Sequence, residues 1–234
     1  MKIKITNRTK SSCEIFNDAT LVSYYSFDLT IDDQGPNDLH SSIGEQFNNG
    51  ISFQSGIRNE ALLFSKEYSY FQSWNYHSLT IDNQSYSYSL WIYPNVIKGT
   101  ILHLSSDKTG SGRFSLPILS FSINGSLVAQ TFNGSIVSLY GPQIPVFNWT
   151  HITLTWSSFN GLKLYINGDL YSQLSISTYQ SVNVDRLFIL LGTSGSCHHC
   201  QTSQLLIGSY SGSIDEFYVY NRELTSNDIC VLSR

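Results

Sequence analysis

Charge is scarce in this chain of 234 residues. Asp, Glu, Lys and Arg together make up 13%, about half the share usual in a soluble domain. The formal net charge of −4 comes with no cluster of Lys or Arg, which excludes a surface that gains affinity by releasing counterions from a nucleic acid. Long apolar runs are missing too. Stretches such as Leu187-Phe188-Ile189-Leu190-Leu191 fall far below the roughly 20 residues of a membrane helix, so no transmembrane segment is expected. Met1-Lys2-Ile3-Lys4-Ile5-Thr6 has basic residues but no apolar stretch of secretory-signal length after it. If secreted, the chain is therefore expected to be a fragment, an incomplete gene model or a mature form. No Gly-x-Ser-x-Gly elbow and no Lys-bearing phosphate loop occurs, and the six histidines are scattered, which leaves little for nucleophilic or phosphoryl-transfer chemistry.

What the chain has instead is aromatic residues, 14%, and an abundance of Ser, Asn, Thr and Gly. Tyr, Phe, Ile and Val fit strands, and Asn-Gly pairs fit hairpin turns. Short alternating segments bounded by turn residues recur from Leu21 to Tyr220, the pattern of an all-β sandwich or barrel. Leu21-Val22-Ser23-Tyr24-Tyr25-Ser26-Phe27 places Leu21, Ser23, Tyr25 and Phe27 on one strand face, and residues 28–37 read as a loop. Tyr86 to Tyr93 is a strand that ends at Pro94, which cannot donate to a ladder. Asn124-Gly125 and Asn133-Gly134 predict two successive hairpins, and Trp149 to Leu174, with Asn160-Gly161 and Asn167-Gly168 as its turns, reads as a three-strand meander. Thr225-Ser226-Asn227-Asp228 has the form of a capping box with Asp in place of Glu, predicting a helical turn over 229–232. A sandwich of about 200 to 250 residues folds as one domain, with roughly 70% of its extended-chain surface buried. Residues 21–234 are read as that domain and residues 1–20 as an N-terminal extension.

Four cysteines permit three pairings. Spacing favours a local Cys197–Cys200 bridge stapling the loop after Gly192, which leaves Cys13 and Cys230 to tie the ends together. Zinc held by Cys197-His198-His199-Cys200 is disfavoured, because four consecutive residues do not readily surround one tetrahedral ion. Asn7, Asn83, Asn124, Asn133 and Asn148 each head an Asn-x-Ser/Thr triplet. The first four are taken as glycosylation candidates, and Asn148 is set aside because Trp149 beside it is expected to be buried.

Trp149 to Trp156 followed by Leu162 to Gly168, the ending Gly212 to Thr225, and the opening Leu21 to Asp28 together resemble the laminin-G-like members of the concanavalin A-like lectin and glucanase superfamily. The resemblance spans residues 21–232. It implies a jelly roll of two packed antiparallel sheets with first and last strands adjacent, which supports pairing Cys13 with Cys230. It also raises catalysis, because the superfamily includes glycoside hydrolases whose two carboxylates flank a glycosidic bond. No Glu-x-Asp-x-Glu strand occurs here, and Asp215 and Glu216, being adjacent, should point to opposite faces. The chain is therefore not expected to be an enzyme. Related jelly rolls often hold a structural calcium ion near the first loop and last strand, and Asp28, Asp32, Asp33, Asn37 and Asp215 are the matching candidates. The resemblance implies one calcium held by Asp28 or Asp33 with Asp215 and backbone carbonyls, while the competing reading makes Asp32 and Asp33 turn residues and gives Asp215 to a buried hydrogen-bond network.

Aromatic rings stack on sugars or anchor proteins. Trp74 and Tyr76, in the irregular segment 68–86, are the candidates for an exposed recognition face, while Trp91, Trp149 and Trp156 are assigned to the core. The expected function is a non-catalytic extracellular recognition module, secreted or part of a larger protein, that binds carbohydrate or a protein partner. A purely structural or adhesive domain is the alternative, and a glycoside hydrolase a weaker one. The acidic balance disfavours sulfated glycans.

Overall fold

The computed structural model describes residues 19–44, 50–181, 184, 186–197 and 204–234. Fifteen strands fall among them: β1 Leu21–Tyr25, β2 Ser41–Ile43, β3 Ile51–Ser55, β4 Glu60–Phe64, β5 Phe71–Trp74, β6 Tyr86–Pro94, β7 Thr100–Ser105, β8 Ser115–Phe121, β9 Ser126–Phe132, β10 Ile136–Gln143, β11 Thr150–Ser157, β12 Gly161–Ile166, β13 Asp169–Leu174, β14 Phe188–Leu191 and β15 Gly212–Tyr220. One α-helix, α1, covers Ser226–Leu232, and a short 3-10 helix covers His77–Thr80. All the strand pairings within the sheets are antiparallel. An eight-stranded sheet runs β13-β12-β11-β6-β15-β4-β3 with β1 also on β15, and a seven-stranded sheet runs β10-β9-β8-β7-β14-β5-β2.

The two sheets close over a core of alternating inward residues, with Trp156, Tyr25, Tyr86, Tyr88, Phe71 and Phe217 among its largest fully buried side chains. So many buried phenols need partners, since an unpaired buried hydroxyl is costly. Tyr86 donates to Thr131 Oγ1 at 2.7 Å, and Tyr179 donates to the Leu79 carbonyl at 2.8 Å. The expected hairpins form β8-β9-β10 and the expected meander forms β11-β12-β13. Asn167 (φ 51°) and Gly168 (φ 88°) adopt the paired left-handed conformations of a tight hairpin turn. Strand β6 stops at Pro94 as predicted.

Two expectations about facing need correction. A bulge between Leu21 and Ser23 in the β1–β15 ladder puts Leu21 outside the main core. It joins an outer cluster with Tyr165, Tyr218, Tyr220, Leu224, Ile229 and Leu232, while Tyr25 and Phe27 face inward. Trp149 is half-buried rather than core, because it precedes β11 and packs on Tyr93 at the surface, ring centroids 5.4 Å apart.

Strand β15 changes partner along its length. Gly212–Ile214 pair with β4 and Phe217–Tyr220 with β1, so Asp215 and Glu216 fall at the junction, where the β6 ladder also slips register. Glu216 takes a left-handed backbone (φ 52°) there. Helix α1 is capped as predicted: Thr225 Oγ1 accepts the Asp228 N–H while the Asp228 carboxylate accepts the Thr225 N–H. It lies against the outer face of the eight-stranded sheet, where Trp91 Nε1 donates to the Leu232 carbonyl at 3.1 Å.

Candidate functional site

Of the two aromatic candidates, only Trp74 reaches the surface. It is half-buried between His40 and Phe188, with ring centroids at 5.8 and 6.2 Å. Tyr76 is fully buried and is corrected to a core residue. Strand β5 ends at Trp74, and Asn75 at φ 81° turns the chain inward. The Tyr76 hydroxyl then lies within hydrogen-bond distance of Ser73 Oγ (2.6 Å) and Ser23 Oγ (3.1 Å). Burial pushes that phenol up to about 12.

The three carboxylates proposed for calcium are engaged by N–H donors. Asp33 accepts the backbone N–H groups of Tyr24, Gly35 and Leu39 at 2.8–2.9 Å, organising the 33–39 loop. Asp215 accepts those of Ile57, Arg58 and Glu216, and Asp28 accepts the Glu60 N–H and Asn59 Nδ2. Asp28 and Asp215 thus brace the same β3–β4 turn, and Asp33 sits in a different loop. Calcium needs six to eight oxygen ligands, yet the oxygens here face donors, and no group of three or more His, Cys, Asp or Glu side chains is arranged for a metal among the described residues. Of the two pairings expected for calcium, Asp28 with Asp215 shares one turn, whereas Asp33 lies apart from Asp215.

The expectation that Asp215 and Glu216 face opposite ways also fails, because the β15 irregularity brings both to Arg58. Asp215 Oδ2 accepts the Arg58 N–H at 3.2 Å, and Glu216 Oε2 accepts its guanidinium at 2.7 Å. Burial pushes the Asp215 carboxyl up to about 7 against the pull of its backbone donors.

The chain's own segments cover part of each outer face. Helix α1 lies over the Trp91 region of the eight-stranded sheet. On the other, the cross-strand neighbours Gln72, Leu190 and His103 are buried where residues 106–112 fold over: Gln72 Nε2 donates to the Lys108 carbonyl at 2.6 Å, and His103 Nε2 lies 3.0 Å from Ser115 Oγ, which donates to the Gly110 carbonyl. Ser196 N donates to the Thr109 carbonyl, and the neighbouring Cys197 is disulfide-bonded. Cys13 and Cys200 lie outside the described residues, and Cys230 is half-buried on α1.

Open surface with recognition chemistry lies where the sheets meet. Strands β10 and β13 are the terminal strands of the two sheets, and Ser172 Oγ donates to the Tyr140 carbonyl across the seam at 3.0 Å. Beside it, residues 142–150 and the β12–β13 turn enclose a groove of about 380 Å³, within the range of small-ligand sites. Pro142, Pro145, Leu170 and Tyr171 supply its apolar walls, and Gln143, Asn148, Thr150, Asn167 and Asp169 its polar groups. Thr150 is only 2% exposed, and its hydroxyl has no hydrogen-bond partner among the described residues. Tyr171 is 53% exposed.

Next to this groove is an aromatic group not read as a unit from the sequence. Phe147, 63% exposed, packs edge-on to Tyr93 (6.4 Å), which packs on Trp149 (5.4 Å). The Phe147 backbone is left-handed (φ 55°) and its N–H donates to the Pro94 carbonyl at 2.8 Å, which fixes the loop carrying the exposed ring. The sequence signal was the run Pro142-Gln143-Ile144-Pro145-Val146-Phe147, apolar but not alternating.

Among the sequon residues, Asn7 lies outside the described residues. Asn83 and Asn124 are exposed and Asn133 half-buried. The amide oxygens of Asn124 and Asn133 accept within their turns from Ser126 N and Ser135 Oγ, and that of Asn83 accepts the Tyr179 N–H from a distant segment. Asn148, set aside on sequence grounds, is exposed.

A laminin-G family model described as the concanavalin A-like lectin/glucanases superfamily matches residues 65–230. The chain belongs to that superfamily. Solved structures extend the match to nearly the whole lectin-like fold. Domain 4 of AbnA, an extracellular arabinanase from Geobacillus stearothermophilus solved with arabinotriose, is 20% identical and covers 92% of this chain and 98% of its own, with a TM-score of 0.61. The binding domain of botulinum neurotoxin DC, solved with SialylT, is 17% identical over 93% of this chain and 51% of its own, TM-score 0.63. The binding domain of Paraclostridial Mosquitocidal Protein 1 is 19% identical over 92% and 52%, TM-score 0.66. The human adhesion G-protein coupled receptor D1 is 30% identical over 84 residues, which is 36% of this chain and 9% of the receptor. The lectin-like chain thus spans about half of each toxin binding domain and a small part of the receptor. No helix among the described residues is long and apolar enough to cross a membrane.

Proposed function

We propose that the chain is a non-catalytic, extracellular recognition module that binds carbohydrate or a protein partner at the end of the sandwich carrying the β10–β13 groove. The observation that carries this reading is the groove itself, which joins the exposed Tyr171 ring to hydrogen-bonding side chains. Membership of the concanavalin A-like lectin/glucanases superfamily supports a carbohydrate ligand, as does the likeness to domains solved with arabinotriose and with SialylT. The carboxylates Asp215 and Glu216 hold a turn and a strand junction in place, which is a structural role.

The test is binding of the folded chain to a glycan array and to intact cells, comparing wild type with Phe147→Ala and Tyr171→Ala. Both side chains are exposed, so thermal stability should change little while binding falls. Binding that survives both substitutions moves the site elsewhere. Turnover of a bound glycan would overturn the non-catalytic reading, and self-association through the groove in sedimentation experiments would replace the partner with a second copy of the chain.

A further inference from the structure

We propose that the groove takes a short neutral oligosaccharide and rejects anionic ones, with Asp169 as the residue that sets this specificity. The inference rests on the recognition reading above and adds the ligand class.

The lining contains no Lys, Arg or His, and Asp169 is its one carboxylate. Asp169 is exposed and opens β13. Every other polar group on the wall is neutral, and two of them have their orientation fixed by the backbone. Asn167 Oδ1 accepts the His151 N–H at 2.9 Å, which leaves its Nδ2 as the donor. Gln143 Nε2 donates to the Asn124 carbonyl at 3.1 Å, which leaves its Oε1 to accept. Thr150 Oγ1 lies buried beneath the wall, so the ligand-facing hydroxyl is that of Tyr171, which is 53% exposed. With the exposed Asn148 amide, these groups form a set that mixes donors and acceptors, in which the Gln143 oxygen and the Asp169 carboxylate require protons from the ligand.

Sugar hydroxyls both donate and accept, so they match that set. A sialic acid carboxylate or a sulfate only accepts; it would leave Gln143 Oε1 unsatisfied and stand against Asp169 with no cation to offset the repulsion. The apolar face of a sugar ring has Tyr171 and Leu170 to pack on. At about 380 Å³ the groove is near the small end of ligand sites, suited to a few sugar rings rather than a protein surface.

The experiment uses matched pairs of oligosaccharides, identical except for a terminal sialic acid or a sulfate, titrated against wild type, Asp169→Asn, Asp169→Lys and Tyr171→Ala at low and moderate salt. Wild type should prefer the neutral member of each pair. Asp169→Asn should narrow the preference about fivefold, the size of one charge repulsion at a solvated distance of several ångströms, and added salt should narrow it in wild type as well. Asp169→Lys should reverse it. Tyr171→Ala should weaken binding of neutral ligands without changing the preference. Tyr171-dependent binding of acidic members equal to or tighter than neutral ones overturns the charge selection while leaving the groove as the site. A blank array, or glycan binding unaffected by Tyr171→Ala, overturns both the ligand class and the site.

Discussion

The rings of Tyr24 and Tyr218 stack at 4.2 Å with 8° between their planes, and their hydroxyls donate to the two oxygens of one carboxylate, that of Glu216. Arg58 completes the arrangement from the β3–β4 turn and continues to the Arg234 carbonyl. Glu216 is 3% exposed, so removing it strands two phenols and a guanidinium at the point where β15 changes partner.

Glu216→Ala is therefore expected to lower unfolding free energy by about 3 to 5 kcal/mol, the usual cost of breaking a buried charged network. Glu216→Gln, which keeps the shape and one acceptor, should cost about 1 to 3 kcal/mol. Urea denaturation of the three proteins measures this; a loss below half a kilocalorie for the alanine variant would show that the network adds nothing to the fold.

Acid should destabilise the protein through two histidines. Burial lowers the His103 imidazole to about 4 and the His151 imidazole to about 3, the latter with help from the Arg58 charge. Both depressed values mean that the unfolded chain binds protons the folded one refuses. Their contribution is intact above the ordinary histidine range near 6.5 and is lost as pH falls toward 4 and 3, at up to about 1.4 kcal/mol per pH unit for each group. Asp215, raised to about 7, works in the opposite direction: its contribution is present below about pH 4 and lost as pH rises through 7. Denaturation between pH 7 and 4.5 should show a net loss of stability on acidification. His151→Gln should flatten the profile and Asp215→Asn should steepen it; unchanged slopes in both would contradict the assignment.

Removing the cap of α1 should loosen the cover over Trp91. Thr225→Ala is expected to cost about 1 kcal/mol and to redden Trp91 emission as its Nε1 loses the Leu232 carbonyl. Since Asp228 also pairs with Arg222 at 2.8 Å, Asp228→Ala should cost at least as much. Equal stability and an unshifted spectrum would mean the helix is held by its apolar contacts alone.

Calcium added to chelator-treated protein should neither raise the melting temperature nor release heat through Asp28, Asp33 and Asp215, whose oxygens already accept N–H groups. A calcium-dependent stabilisation lost in Asp215→Asn would restore the metal to this turn.

Much of the fold was legible because local chemistry specified it. Asn-Gly pairs at 124–125, 133–134 and 167–168 set hairpins, Pro94 ended a strand, and Thr225 with Asp228 capped a helix. The misreadings arose where one backbone angle inverted the expected facing. Asn75 turned Tyr76 into the core, and the irregularity at Glu216 brought neighbouring carboxylates together; a period-two pattern carries no sign of either. The groove was illegible for another reason. Its walls come from β10, β13 and the segment between β10 and β11, and only the meeting of two sheet edges brings Gln143, Thr150 and Tyr171 to one place.

That meeting of edges also bears on solubility. A terminal strand exposes backbone groups to which a strand of another molecule can add, and here two such strands, β10 and β13, lie against each other, joined by Ser172 and the Tyr140 carbonyl. The seam takes up one edge acceptor, the Tyr140 carbonyl, and sets the two edges side by side, which leaves less room for a third strand to add. Damage to it would therefore surface first as concentration-dependent aggregation, with the sandwich interior still intact.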